Sequence, residues 1–151
     1  MIGREDKKSN DLFFVCSLID YIARKTKNRR RDVVEQLGEK RIRKMYDLAD
    51  VYHCDNIDTV SEQFIESAGI QTGTFDNVGM CKYAIPSHWD IGKVYKRLVL
   101  GIAKDKNIDV IDALFLAYQS FVSDKIDDYN SSFYYENPAN ILIAFQDGKI
   151  E

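Results

Sequence analysis

Four residues of this chain, His53, Cys54, Cys81 and His88, carry the side-chain types of a zinc site or a Cys–His nucleophile pair. Structural zinc needs thiolates a few residues apart so that two reach one ion, and no such cysteine pair occurs here. His53 and Cys54 are adjacent, and adjacent side chains diverge on a helix or strand, so they do not form a nucleophile–base pair. The expectation is a buried thiol, polar loop histidines, no metal and no cofactor. Asp124, Asp127 and Asp128 form a second group. Asp124 and Asp128 stand one helical turn apart and could act as paired carboxylates for acid–base work or Mg²⁺. An acidic, solvated helix face is the expected outcome. No phosphate-binding glycine loop, dinucleotide fingerprint, zinc-protease helix or serine elbow is present.

Binding residues are easier to nominate than catalytic ones. Residues 20–46 carry a charge of about +6 and residues 47–151 about −9, so the sequence is a dipole. The run Arg29, Arg30 and Arg31 falls at the start of a helix, where anions are also favoured. This basic 24–44 segment could serve nucleic acid, with a helix–turn–helix over residues 12–37. Asp32 and Glu35 on its second helix argue against a DNA backbone there, and the expected outcome is a basic face offset by acidic neighbours. The segment Tyr129, Asn130, Ser131, Ser132, Phe133, Tyr134 and Tyr135 joins aromatics to small polar residues. Amphipathic aromatics are favoured in protein interfaces, and serve equally as lids on a helical core. His88 and Trp89 carry the same two alternatives.

The elements that must hold these residues are helical. The chain has 151 residues, 45% apolar and 30% charged, with net charge −3, which suits one soluble domain. The N-terminal Met1, Ile2, Gly3 and Arg4 precede no apolar run, so no secretory signal is expected, and Gly3 is one place late for myristoylation. No apolar window approaches the ~18 residues of a membrane span, and three unpaired-looking cysteines fit a reducing cytoplasm. Apolar spacing predicts a first helix from a cap at Asn10 or Asp11 to about Lys27. A short second helix ends at Gly38, and a third spans Ile42 to Ala49. A fourth starts from Asp55 or Asp58 and stops at Gly69.

Residues 69–86 are irregular, with room for a hairpin through Phe75 and Tyr83, and long loops of this kind often carry function. Ser87 and Asp90 form a capping box ahead of the cleanest helical stripe, Ile91 to Ile102. A helix of about five turns follows from Asp109 to Ile126, and Asn137 with Pro138 opens a last one that Gly148 closes. Ile22 to Leu37 also echoes Ile102 to Leu114, as two similar helix–turn–helix joints.

Three segments carry a resemblance: Asp50 to Asp55, His88 to Tyr95, and Lys125 to Ser132. They resemble an uncharacterised family of small helical bacterial proteins encoded in gene clusters of toxin–antitoxin type. That resemblance implies a binding partner rather than catalysis and brings no functional residue with it. The expected architecture is all-α, one compact domain over residues 1–151, with about six or seven helices. The expected function is a non-enzymatic cytoplasmic protein-interaction or regulatory, antitoxin-like protein. One alternative is a nucleic-acid-binding module using residues 24–44, and a second is an enzyme using the 76–90 loop. A protein partner is expected, with no membrane.

Overall fold

The computed structural model describes residues 4–149. The expectations drawn on Met1, Ile2 and Gly3 therefore lie outside the described residues. The protein is all-α, and no strand forms among the described residues, so the hairpin through Phe75 and Tyr83 is replaced by irregular chain and one helical turn.

Helix α1 spans Arg4–Thr26 and α2 Arg30–Asp47. Asn10 and Asp11 do not cap α1 but lie inside it, where Asp11 accepts from Lys7 Nζ at 3.1 Å, one turn back. Gly38 is a kink rather than a stop, with φ +76°. The buried stripe runs Val33, Val34, Leu37 and then Ile42, Met45. The step from Leu37 to Ile42 exceeds the helical spacing of three or four, and the kink absorbs the offset. Ala49, expected in the preceding helix, begins α3 (Ala49–His53). Asn56, not Asp55 or Asp58, caps α4 (Ile57–Ala68), accepting from Asp58 N at 2.8 Å. Gly69, at φ +65°, ends it as expected.

Helix α5 (Asn77–Met80) is a single turn within the irregular stretch. The Ser87–Asp90 capping box is present at the head of α6 (His88–Lys106). The long helix expected after Asp109 is two: α7 (Val110–Gln119) and α8 (Phe121–Asp127). Ser120 adopts extended backbone and its hydroxyl donates to Ala117 O at 2.7 Å, which ends α7 from within. A 3₁₀ turn over Phe133–Tyr135 precedes α9 (Pro138–Asp147), capped by Asn137 and closed by Gly148.

Helices α1 and α6 run antiparallel through the middle of one apolar cluster. Helix α2 packs on α1, α7 on both α6 and α2, and α9 on α6. The joint after α1 and the joint after α6 close alike. Lys27 (φ +55°) and Asn107 (φ +54°) both take the left-handed conformation. Asn28 N donates to Ala23 O and Ile108 N to Ala103 O, each at 3.1 Å.

The α1–α6 approach depends on Gly92, where a Cβ would stand 2.8 Å from both Ser17 N and Ser17 Cα. Backbone cannot yield as a flexible side chain can, so Gly92→Ala should force the helices apart. We expect a loss of ~1–3 kcal/mol in urea denaturation. Unchanged stability would show that the contact is slack.

Candidate functional site

The irregular 69–86 stretch is fixed from below by a buried polar network. Arg30 precedes Val33, Val34 and Leu37 by three, four and seven residues, so α2 turns it inward with its apolar stripe. Its side chain is fully buried. Arg30 Nε donates to Asp20 Oδ1 at 2.7 Å, and Arg24 Nε donates to Asp20 Oδ2 at 2.6 Å. Arg30 Nη2 also reaches the Tyr129 hydroxyl at 3.1 Å, which in turn donates to Asp20 Oδ1 at 3.2 Å. Arg30 Nη1 donates to Asn77 Oδ1 at 3.2 Å, and Asn77 Nδ2 donates to Asp127 O at 3.0 Å. The Tyr95 hydroxyl donates to Asp127 Oδ1 at 2.7 Å and lies 2.7 Å from Ser123 Oγ.

Burial opposes the Arg30 charge, but Asp20 and Asp127 outweigh it and hold the guanidinium above its ordinary range. Burial pushes the Asp127 carboxyl up to about 7, against the pull of Arg30 and of the Tyr95 hydroxyl. Desolvation likewise raises the Tyr129 phenol, with Asp20 adding to it.

Two exposed pieces of chain rest on this network, one through Asn77 and the other through Tyr129. Asn130 clamps them to each other. Its Oδ1 accepts from Lys82 N at 2.8 Å and its Nδ2 donates to Met80 O at 3.0 Å. Upstream, Gly73 N donates to Thr26 O at 2.8 Å and Phe75 N to Lys27 O at 2.9 Å, which pins the loop to the end of α1. The result is one surface made from the 80–85 segment and the 130–135 turn. Met80, Tyr83, Ile85 and Tyr135 project from these segments, 56%, 69%, 49% and 74% exposed. A cleft of about 270 Å³ beside it is lined by Arg29, Phe75, Asn77, Met80, Asp127 and Tyr129.

The nominated binding residues divide. Tyr135 is exposed, and Phe133 is partly buried against the core. Tyr129 and Tyr134 are corrected to core positions, 2% and 7% exposed, because one feeds the polar network and the other packs on it edge-to-face, ring centroids 5.8 Å apart. Asn130 is a clamp between two backbones. His88 and Trp89 are half-buried in an aromatic group, with ring centroids at 5.1 Å for Tyr21–His88 and 5.5 Å for Phe13–Trp89.

The three-arginine patch is also corrected, since Arg30 is withdrawn from the surface altogether. Arg29 and Arg31 both face Asp124, at 3.7 and 2.9 Å. Nearby cations are neutralised too: Lys25 pairs with Asp58 and Glu62, Lys27 with Asp76, and Arg43 with Glu39 and Asp109. The dipole written along the sequence is therefore largely cancelled in space.

Asp124 and Asp128 both border the same cleft, but each is already engaged: Asp124 faces Arg29 and Arg31, and Asp128, just past the end of α8, accepts from Asn130 N at 3.1 Å. Cys54 is exposed, Cys81 half-buried with its thiol donating to Tyr83 O at 3.4 Å, and the His53 ring faces Phe14. Among the described residues, no three His, Cys, Asp or Glu side chains are grouped to hold a metal ion. No described helix is long and apolar enough to cross a membrane.

Met80, Tyr83 and Ile85 escaped nomination because apolar residues in an irregular stretch have no periodicity to betray their exposure. The inward Arg30 did have a signal, its place in the stripe of Val33, Val34 and Leu37. No protein-family model, curated protein or solved structure matches the chain.

Proposed function

We propose that this protein is a non-catalytic interaction protein of regulatory, antitoxin-like type, and that the surface joining the 80–85 segment to the 130–135 turn receives a protein partner. The observation carrying this reading is the set of four exposed apolar side chains held on backbone that a buried network and the Asn130 clamp already order. Pre-ordered backbone loses little freedom on binding, and large aromatics supply most of the energy at interfaces. Residues 24–44 favour nucleic acid less, because seven of their ten cations face carboxylates.

The test is recovery of the native partner with Tyr83→Ala and Tyr135→Ala. Each should weaken the complex by ~2 kcal/mol or more while leaving melting nearly unchanged. Tyr129→Ala and Tyr134→Ala should instead lower the melting temperature. Partner recovery unaffected by both exposed-tyrosine variants would refute the assignment of this surface.

A second reading, acid–base chemistry at the 76–90 loop, has one observation in its favour. The Asp127 carboxyl, raised to about 7, lies against the cleft beside Asn77 and Tyr129. Any turnover by the protein should then disappear in Asp127→Asn while the fold persists.

A further inference from the structure

Helix α6 presents four cations without an ion-pair partner among the described residues; the one carboxylate at the head of the same side, Asp90, accepts from Ser87 N at 2.9 Å in the capping box. Lys93, Lys96, Arg97 and Lys104 lie at helical spacings that put them on one side, over about 16 Å at ~1.5 Å per residue. Among the described residues none of the four has a carboxylate within ion-pair distance, in contrast to Arg29, Arg31 and Arg43. Desolvation, Arg97 and Lys93 all work against the charge on Lys96, as expected of crowded like charges without a counter-ion. Apolar side chains are interleaved with the cations. Trp89 and Leu100 share the same side, both half-buried, and the Lys96 ammonium lies 5.8 Å from the Phe13 ring centroid. Arg97 also lines a small cleft with Val94, Tyr134 and Glu136.

We infer that the outer face of α6 docks an acidic, amphipathic segment of the protein partner. This inference rests on the protein-partner reading above and adds the chemistry of what is bound. Like charges one turn apart destabilise a free helix slightly, and anions placed between them remove that cost. Carboxylates recurring at three and four residues would meet the four cations, and apolar residues between them would cover Trp89 and Leu100. A nucleic-acid backbone fits less well. Half-buried Trp89 and Leu100 lie between the cations, and a phosphate backbone has no apolar side chains to cover them.

Trp89 is the single tryptophan of the chain and reports on this face. The probe is a synthetic acidic peptide of about 20 residues, long enough to span the face as a helix, with Leu or Phe at every third or fourth position and Glu elsewhere. Its counterpart carries Lys for each Glu, and a single-stranded DNA of the same charge forms the third arm. The acidic peptide should bind with a change in Trp89 emission, and its affinity should fall by about tenfold between ~50 and ~300 mM salt. Lys93→Glu with Arg97→Glu should weaken it by at least about tenfold at unchanged melting temperature. The lysine peptide should not bind.

Absence of acidic-peptide binding, or tighter binding of the DNA, overturns the inference. Retained peptide affinity in the charge-reversed protein overturns it as well. In that last case, loss of the native partner in Tyr83→Ala or Tyr135→Ala would leave the interaction surface standing, so the two failures are distinct.

Discussion

Arg30→Ala should destabilise the protein by ~3–5 kcal/mol, enough to leave many domains of this size largely unfolded at body temperature. Arg30 is fully buried and shares Asp20 with Arg24. Removing the guanidinium leaves the Asp20 carboxylate buried with half its compensation gone. It also orphans the Asn77 side-chain oxygen and takes one partner from the Tyr129 hydroxyl. The double change Arg30→Met with Asp20→Asn removes both charges while keeping most of the volume, and it should recover part of the loss. Guanidinium denaturation of the two variants decides the matter. A loss below ~1 kcal/mol in Arg30→Ala would mean that water reaches the pair.

The second large effect is a dependence of stability on pH that runs through Asp127. Its carboxyl is raised to about 7 in the folded protein, chiefly by burial, against ~3.9 for an unfolded chain. Between those values the folded state holds a proton that the unfolded state has released. Stability from this group is therefore full below pH ~4, falls as pH rises, and is lost above pH ~7. At ~1.4 kcal/mol per pH unit the swing is on the order of 4 kcal/mol. Asp127→Asn should abolish this slope, so that the difference between variant and parent grows from pH 4 to pH 7 and then levels. Exposed Asp50 and Asp58, held low mainly by Lys7 and Lys25, work in the opposite direction at more acid pH and are common to both proteins. Identical pH profiles for parent and variant would remove Asp127 from the account.

Local signals placed several helix ends, although the caps expected at Asn10 or Asp11 and at Asp55 or Asp58 did not form there. The Ser87–Asp90 box, Gly69, Asn137 with Pro138, and Gly148 each satisfy backbone groups within a few residues, so composition alone places them. The echo between Ile22–Leu37 and Ile102–Leu114 likewise matches two joints that each turn through one left-handed residue, Lys27 in the first and Asn107 in the second. The breaks at Gly38 and Ser120 were harder, because whether a helix continues past such a residue depends on what its far half can bury. The site residues were hardest. Three consecutive arginines look alike in sequence, and only the phase of the α2 stripe distinguishes buried Arg30 from Arg29 and Arg31. Tyr129 and Tyr135 differ in environment by an Asp20 more than a hundred residues away from the first of them, which no local pattern reports.

That same separation sets an order on how the protein can be made. Asp20 and Arg30 lie in the first two helices, ten residues apart, yet they are sealed by Asn77 and Tyr129. While the chain is still being synthesised, α1 and α2 emerge with two charges that have no enclosure to enter. They stay hydrated until Asn77 and Tyr129 have followed, so the first helix pair at first touches only loosely and in water. Closure of the core thus follows the arrival of Tyr129, about a hundred residues after the first helix pair, rather than the pairing of those helices themselves.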